Sequence, residues 1–332
     1  MSKPSFLDAY LKPFRALLEA SDVVEIVLNP DGGVWVERQG AAFMERVEEL
    51  HVTPEDAQNL AQSIASHVEV QFSDKKPVVS GKIVTGGQPV RAQVIAKPIV
   101  EGGAALSLRR YSTAKIDLER IGLIYDGLIN LDERRRARAG QVVALAGDGK
   151  LDAAMALCVQ DRLNVLISGG TSTGKTTFAR ALLALVDKRE RIITIEDAYE
   201  LFPDQKNSVA LRADRIGGSE RTPAKLLEAS LRMRPDRIIL GELRGDEAKT
   251  FLEAINTGHG GSFSTIHADT ARKAIDRLAL MVMSTGLNMS FAGVRRYCQD
   301  SIDVVVQLAR ETGKRGVAEV YVPALSAEHG DA

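Results

Sequence analysis

The sequence is poor in the features that would staple the chain, anchor it or steer it electrostatically. Its two cysteines, Cys158 and Cys298, stand far apart in 332 residues. They form no CxxC pair, which argues against a zinc or redox motif and leaves free buried thiols as the expectation. No apolar run approaches the roughly 18 residues of a spanning helix. The opening, MSKPSFLDAYLKPF, has charges and prolines where a signal peptide needs an apolar stretch. A cytoplasmic protein is expected, with membrane contact left to partners or to an amphipathic segment. Neither sign of charge dominates: 43 Lys and Arg against 44 Asp and Glu give a net charge of −1. Nothing global points to nucleic acid or a membrane surface, and no direct sequence-specific nucleic-acid binding is expected. There is no internal repeat and no low-complexity tract.

What remains is a globular composition, 45% hydrophobic and 26% charged, long enough for two domains. Residues 1–20 read as a short helix, with Phe6, Leu7, Tyr10, Leu11, Phe14 and Leu18 at helical spacing. VVEIVLNP and VWVER then read as paired strands joined through Pro30, Asp31, Gly32 and Gly33. A helix follows, with Thr53 as its cap, Pro54 at its first position and Asp56 where a capping-box acid belongs. Its apolar face is Ala57, Leu60, Ala61, Ile64, Ala65 and Val68. GKIVT, PVRAQVIA and AALSLRR are three further strand candidates, separated by glycine pairs. The first 110 residues thus read as a small α+β domain.

The stretch 111–138 reads as charged and helical, and its cluster Glu133, Arg134, Arg135, Arg136, Arg138 as a solvated linker face, with a specific contact site as the alternative. Beyond Asn164 the pattern becomes strand–loop–helix. NVLIS, RIITIE, SVALR, DRIILGE and GSFSTIH are the strands; 175–185, 223–232, 246–256 and 270–283 are the helices. Such alternation implies a mainly parallel sheet covered by helices on both faces.

Gly169-Gly170-Thr171-Ser172-Thr173-Gly174-Lys175-Thr176 satisfies G-x-x-x-x-G-K-[ST]. A buried-strand run precedes it and a helical run follows, which is the context a phosphate-binding loop requires. Glycines let backbone N–H groups curl around phosphate oxygens, and the helix N-terminus adds its positive end. Gly170, Thr171, Ser172, Thr173, Gly174, Lys175, Thr176 and Thr177 are the expected nucleotide contacts. Lys175 is placed on the β- and γ-phosphates of ATP and the Thr176 hydroxyl on Mg²⁺.

A nucleotide site of this kind needs an acidic partner. RIITIE ends in Glu196-Asp197 and continues to Glu200; DRIILGE ends in Glu242. Both put carboxylates at the C-terminal end of an apolar strand, where an open α/β sheet places its ligand. Glu242 suits water positioning or general-base work, and Glu196 and Glu200 suit Mg²⁺ or its waters. A solvent-exposed strand-end acid is the alternative for each. TGHGGSFSTIHAD holds His259 and His267. Two histidines without a third ligand do not make a metal site. A γ-phosphate sensor or hydrogen-bonding switch is expected, with a core histidine satisfied by backbone as the alternative.

These four elements, in this order, resemble the type II/IV secretion ATPase superfamily. GGTSTGKTT is similar to its Walker A motif and IEDAYEL to its Asp box. RPDRIILGELRG is similar to its Walker B with a trailing arginine, and GHGGSFSTIHAD to its His box. EIVLNPDGGVWVER and RAQVIAKPIVEGGAALSLRR resemble the N-terminal domain of TrbB-type conjugative ATPases, the subgroup the chain most resembles. Ser172 stands where the family carries glycine. The resemblance implies a small α+β N-terminal domain over 1–110, a linker over 111–140 and a RecA-like P-loop ATPase domain over 141–332. It implies Glu242, Lys175, His267 and Glu196 as catalytic residues, and Thr176, Glu196 and Glu200 as metal contacts. Arg109 falls on an arginine that reaches the nucleotide from the N-terminal domain, with Leu108 beside it, and Arg91 on another arginine of that domain. The implied function is an ATP-hydrolysing motor for type IV secretion or conjugative transfer, its nucleotide held between the two domains. The implied assembly is a homohexamer, working with secretion or conjugation channel proteins at the inner membrane and attached peripherally there. A Tad-type pilus ATPase and a non-hydrolysing ATP-sensing regulator remain as alternatives.

Overall fold

Strands of the N-terminal third pair antiparallel throughout. In the computed structural model, which describes residues 6–111, 117–216 and 218–326, they are β1 (Val23–Leu28), β2 (Gly33–Arg38), β3 (Glu45–His51), β4 (Val78–Thr85), β5 (Gln88–Ile95) and β6 (Ala105–Arg110). Their order is β3-β2-β1-β6-β5-β4. Three helices accompany this sheet: α1 (Phe6–Leu11), α2 (Arg15–Glu19) and α3 (Pro54–His67). The single helix expected over residues 1–20 is broken by a 3₁₀ turn, Lys12–Phe14, because Pro13 cannot donate to an α-helical ladder. The Thr53 hydroxyl oxygen accepts from Asp56 N–H at 3.1 Å and caps α3, as its sequence implies. Leu60, Ala61 and Ile64 of α3 pack with Ile26, Val36, Ile83, Val90 and Leu106 of the sheet.

Two compact units are seen. The first joins residues 1–113 to 188–199 and 205–236; the second holds 114–187, 200–204 and 237–332. The first therefore takes in β8 (Ile192–Glu196), β9 (Ser208–Arg212) and α7 (Pro223–Ser230), which the sequence reading assigned to the C-terminal domain. The physical reason is a buried arginine. Arg191, fully shielded from solvent, donates to the Oδ1 of Asn29 at 2.7 Å, to that of Asn207, and to Met233 O at 2.9 Å. Burial holds its guanidinium down to about 10, with Glu25 and Asp236 opposing that shift. Arg212 N–H also donates to Ile99 O at 2.8 Å, and Arg234 pairs with Glu37 at 3.0 Å.

In the second unit β7 (Val165–Gly169) lies between β12 (Val304–Glu311) and β11 (Phe263–Ile266), parallel to both. β10 (Arg237–Leu240) is parallel to the other side of β11, and β13 (Lys314–Tyr321) closes an antiparallel hairpin on β12. Every residue of β7, VLISG, is buried, and its first three residues read as an apolar run. The helices are α4 (Leu131–Gly147), α5 (Leu151–Gln160), α6 (Lys175–Ala184), α8 (Glu247–Asn256), α9 (Ala271–Met283) and α10 (Phe291–Ser301).

The helix expected over 111–138 begins only at Leu131; residues 112–116 lie outside the described ones. From Asp117 to Asn130 there is one 3₁₀ turn, Leu118–Arg120. Gly122 and Gly127 weaken a helix there, and apolar residues such as Ile124 and Leu128, about nine-tenths exposed, bury no face that would offset the cost. Asn130 then starts α4 by accepting from Asp132 N–H and Glu133 N–H. Arg135 is no solvated linker residue. It makes a bidentate pair with the buried Asp303, at 2.5 and 2.6 Å, and Asn164 N–H donates to the same carboxylate.

Candidate nucleotide-phosphate site

The parallel strands of the second unit bring three loop beginnings to one edge. β7 runs into the glycine-rich turn, β10 ends two residues before Glu242, and β11 ends one residue before His267. The turn needs its glycines. A Cβ on Gly169 would lie 2.5 Å from Thr173 Oγ1 and 2.9 Å from Leu308 O. Gly174, at φ +96°, is the left-handed residue from which α6 springs. Ser172 also holds a left-handed backbone, φ +59°, so serine takes the conformation that glycine supplies in the family pattern. Thr176 and Thr177 sit in the first turn of α6, half-buried and exposed respectively.

Lys175 curls back over the turn. Its ammonium donates to Gly169 O and Gly170 O, each at 2.9 Å, and lies 3.3 Å from His267 Nδ1. An ammonium only donates, so Nδ1 accepts and the imidazole proton sits on Nε2. That nitrogen faces Glu242 Oε1 at 3.2 Å. The other carboxylate oxygen accepts from Arg244 Nη2 at 2.6 Å. Lys175, His267, Glu242 and Arg244 thus form one continuous chain.

The electrostatics follow from this order. Burial pushes the Lys175 ammonium below its ordinary range, with Glu242 opposing. Burial and then the Lys175 charge push His267 down, so its ring is neutral at pH 7. Burial alone would raise Glu242; the Arg244 hydrogen bond, with the charges of Arg244, His267 and Lys175, outweighs it and sets the carboxyl low. The backbone beneath is fixed. Leu243 N–H donates to Thr265 O, and Thr265 Oγ1 to Gly241 O at 2.7 Å. Buried Glu247 accepts from Arg244 N–H at 2.7 Å and Gly245 N–H at 3.2 Å.

The remaining sequence candidates lie on these elements. His259 Nδ1 faces Ala254 O in the last turn of α8, at 3.3 Å, while Ser262 Oγ donates to its carbonyl. Glu196 ends β8 in the first unit, buried, in register with Arg212. Asp197 takes both oxygens to Arg215 Nε, at 3.0 Å. Glu200 is exposed in the second unit. Arg109 is exposed on β6 and lies in a cross-strand row with Arg91 and Lys82. Arg244, the arginine that trails the strand-end acid in the sequence, joins Glu242 here; Arg191 escaped sequence reasoning and left no signal.

Turn, helix start and a lysine folded over the turn fit a nucleotide's phosphates. Among the described residues no three His, Cys, Asp or Glu side chains group to hold a metal. That donor set suits a Mg²⁺ carried on phosphate with few protein ligands, such as Thr176, and not a resident metal cage.

The chain matches the family described as type II/IV secretion system protein over residues 142–324. It is 33% identical over 331 residues to the type IV secretion system protein VirB11 of Bartonella quintana, covering 94% of this chain and 91% of that one. It is 32% identical over 307 residues to the conjugal transfer protein TrbB of Rhizobium radiobacter, covering 91% and 84%. Its fold matches the crystal structure of the VirB11 ATPase from the Brucella suis type IV secretion system, in complex with sulphate. The TM-score is 0.82 at 30% identity, covering 96% of this chain and 98% of that one.

Proposed function

The chain belongs to the type II/IV secretion system protein family, and from that premise we infer that it is an ATP-hydrolysing motor energising type IV secretion or conjugative transfer. One observation carries this onto the chain's own residues. Lys175, His267, Glu242 and Arg244 form one chain at the mouth of a glycine-lined turn that opens a helix.

Each residue has a role set by its chemistry. Backbone N–H groups of 170–176 and the α6 N-terminus receive the β-phosphate. Lys175 exchanges the Gly169 and Gly170 carbonyls for phosphate oxygens and offsets the charge that grows there during transfer. Glu242, ionised, orients and deprotonates the attacking water. His267, neutral and protonated on Nε2, exchanges partners with the γ-phosphate and so senses its presence. Mg²⁺, when bound, neutralises phosphate charge; Thr176 is its first protein contact, and the resemblance adds Glu196 and Glu200. The resemblance also adds Arg109 as a phosphate contact, a ring of six copies and channel proteins at the inner membrane as partners.

Lys175→Ala removes the ammonium from the phosphates and should abolish turnover; normal ATPase activity in that variant sinks the assignment. Light scattering with ATP and Mg²⁺ should give a mass near six times 35.9 kDa. A fully active monomer would contradict the ring.

A further inference from the structure

The arginine-rich start of α4 takes no part in the nucleotide site, yet it builds one wall of a cavity of about 190 Å³. Asp132, Arg135, Arg136 and Ala139 stand at positions i, i+3, i+4 and i+7 and so share a helix face. A second wall is the end of α10 and the turn into β12, with Gln299, Asp300, Ile302 and Asp303. All of these residues belong to the second unit.

Two independent observations mark the cavity as a ligand site. The first is an unmet polar group. Gln299 lines the cavity and is 6% exposed, and among the described residues its carboxamide makes no hydrogen bond. A buried amide left without a partner costs stability unless an occupant of the cavity meets it.

The second observation is the balance of charge. Arg135 is already closed by its bidentate pair with Asp303, which also accepts from Asn164 N–H. What remains open is two carboxylates, Asp132 and Asp300, against one guanidinium, Arg136. Asp132 and Arg136 stand one helical turn apart and form no ion pair. Asp300 has only a long contact, 3.9 Å, to Arg296 on its own helix. Buried Ala139, Ile302 and Val322 add an apolar part to the lining.

We propose that this cavity binds a guanidinium group carried on an aliphatic stem, the chemistry of arginine, free or within a polypeptide. The planar fork donates to Asp132, to Asp300 and to the Gln299 carboxamide oxygen, while the stem lies on the apolar lining. An anion fits worse, because it would meet two open carboxylates with Arg136 alone to hold it. An ammonium fits worse as well, since it brings a point charge to acceptors on two walls.

The test needs no ATP hydrolysis, so its failure leaves the ATPase reading untouched. The full chain is titrated with Nα-acetyl-L-arginine amide, followed by calorimetry and by the methyl resonances of Ile302 and Val322. One saturable site is expected. Nα-acetyl-L-citrulline amide keeps the shape and loses the charge; without both ion pairs it should bind roughly tenfold more weakly. Asp132→Asn and Asp300→Asn should each weaken the arginine amide about threefold. Arg136→Gln removes a like charge and should tighten it. Gln299→Met should remove binding and leave the free protein melting at the same temperature or higher, because an apolar group replaces an unmet amide. Free L-arginine distinguishes the sources: tighter binding than the blocked amide assigns the site to the amino acid, equal or weaker binding to a polypeptide side chain. Absence of saturable binding, citrulline matching arginine, or binding that survives Gln299→Met overturns the proposal. So does weaker binding by Arg136→Gln, which marks an anion site, or a lower melting temperature in Gln299→Met, which makes Gln299 a structural group.

Discussion

Glu242→Gln separates binding from chemistry more cleanly than other single changes in this site. The side chain keeps its shape and loses its charge. Glutamine can present its oxygen to Arg244 or to His267, but not to both. With the oxygen on Arg244, its NH₂ faces the Nε2–H of His267, which lies 3.2 Å from Glu242 Oε1 in the wild type. His267 could accept only by moving its proton to Nδ1, and Nδ1 already faces the Lys175 ammonium at 3.3 Å. One donor–donor conflict therefore survives in every arrangement. It weakens the chain that the phosphates must break, so nucleotide affinity should stay near wild type. Turnover loses a base and a water-positioning group, about 10²- to 10⁴-fold, or roughly 2.7–5.5 kcal/mol of transition-state stabilisation. The assay pairs steady-state ATP hydrolysis with equilibrium binding of a fluorescent nucleotide. Affinity falling in parallel with turnover would make Glu242 a metal-site residue. A loss below about tenfold would remove it from the chemistry.

His267→Ala should lower turnover more than nucleotide affinity, since a γ-phosphate sensor acts on the hydrolytic step; unchanged kinetics would leave the ring a structural part only. Burial and Lys175 depress the His267 pKa, so the unfolded chain takes up this proton first on acidification. The stability from its contacts is present above the ordinary imidazole range and lost as pH falls through the depressed value, and melting curves of wild type and His267→Ala should converge in acid. Ser172→Gly relieves a left-handed serine at about 1–2 kcal/mol while adding about 0.5–1 kcal/mol of unfolded-state entropy. A net gain of roughly 0–1.5 kcal/mol should hold or raise the melting temperature, and a lower melting temperature would refute the strain.

Legibility in the sequence tracked burial. β7, β8, β10 and β11 are buried along their whole length; the first three read as largely apolar runs, while β11, FSTI, is half polar. β12 carries such a run at its start, yet it lies outside the strand set expected above. β3, ERVEELH, has no buried residue and no alternation; its pairing with β2 makes it a strand. Lys175, Glu242 and His267 were readable because strand ends collect ligand groups. Their hydrogen-bonded order was not, because such contacts link residues up to 92 positions apart. Arg191 was illegible for the same reason: a charge preceding an apolar strand looks like any surface arginine until Asn29 and Asn207 close around it. The helix expected over 111–138 shows the reverse error, charge and apolar residues without a face to bury.

The burial of Arg191 also governs how such proteins can be recombined. An engineer reading the sequence would splice two relatives in the linker, near residue 140, and expect each half to arrive intact. That cut parts Asn29 from Arg191 and Asn207, residues whose side chains hydrogen-bond one another away from solvent. Hybrids whose parents differ at any of the three would inherit a guanidinium with nowhere to go. Parents should be chosen by identity at positions 29, 191 and 207 before overall similarity is weighed, and libraries of hybrids should sort into folded and unfolded members along that line.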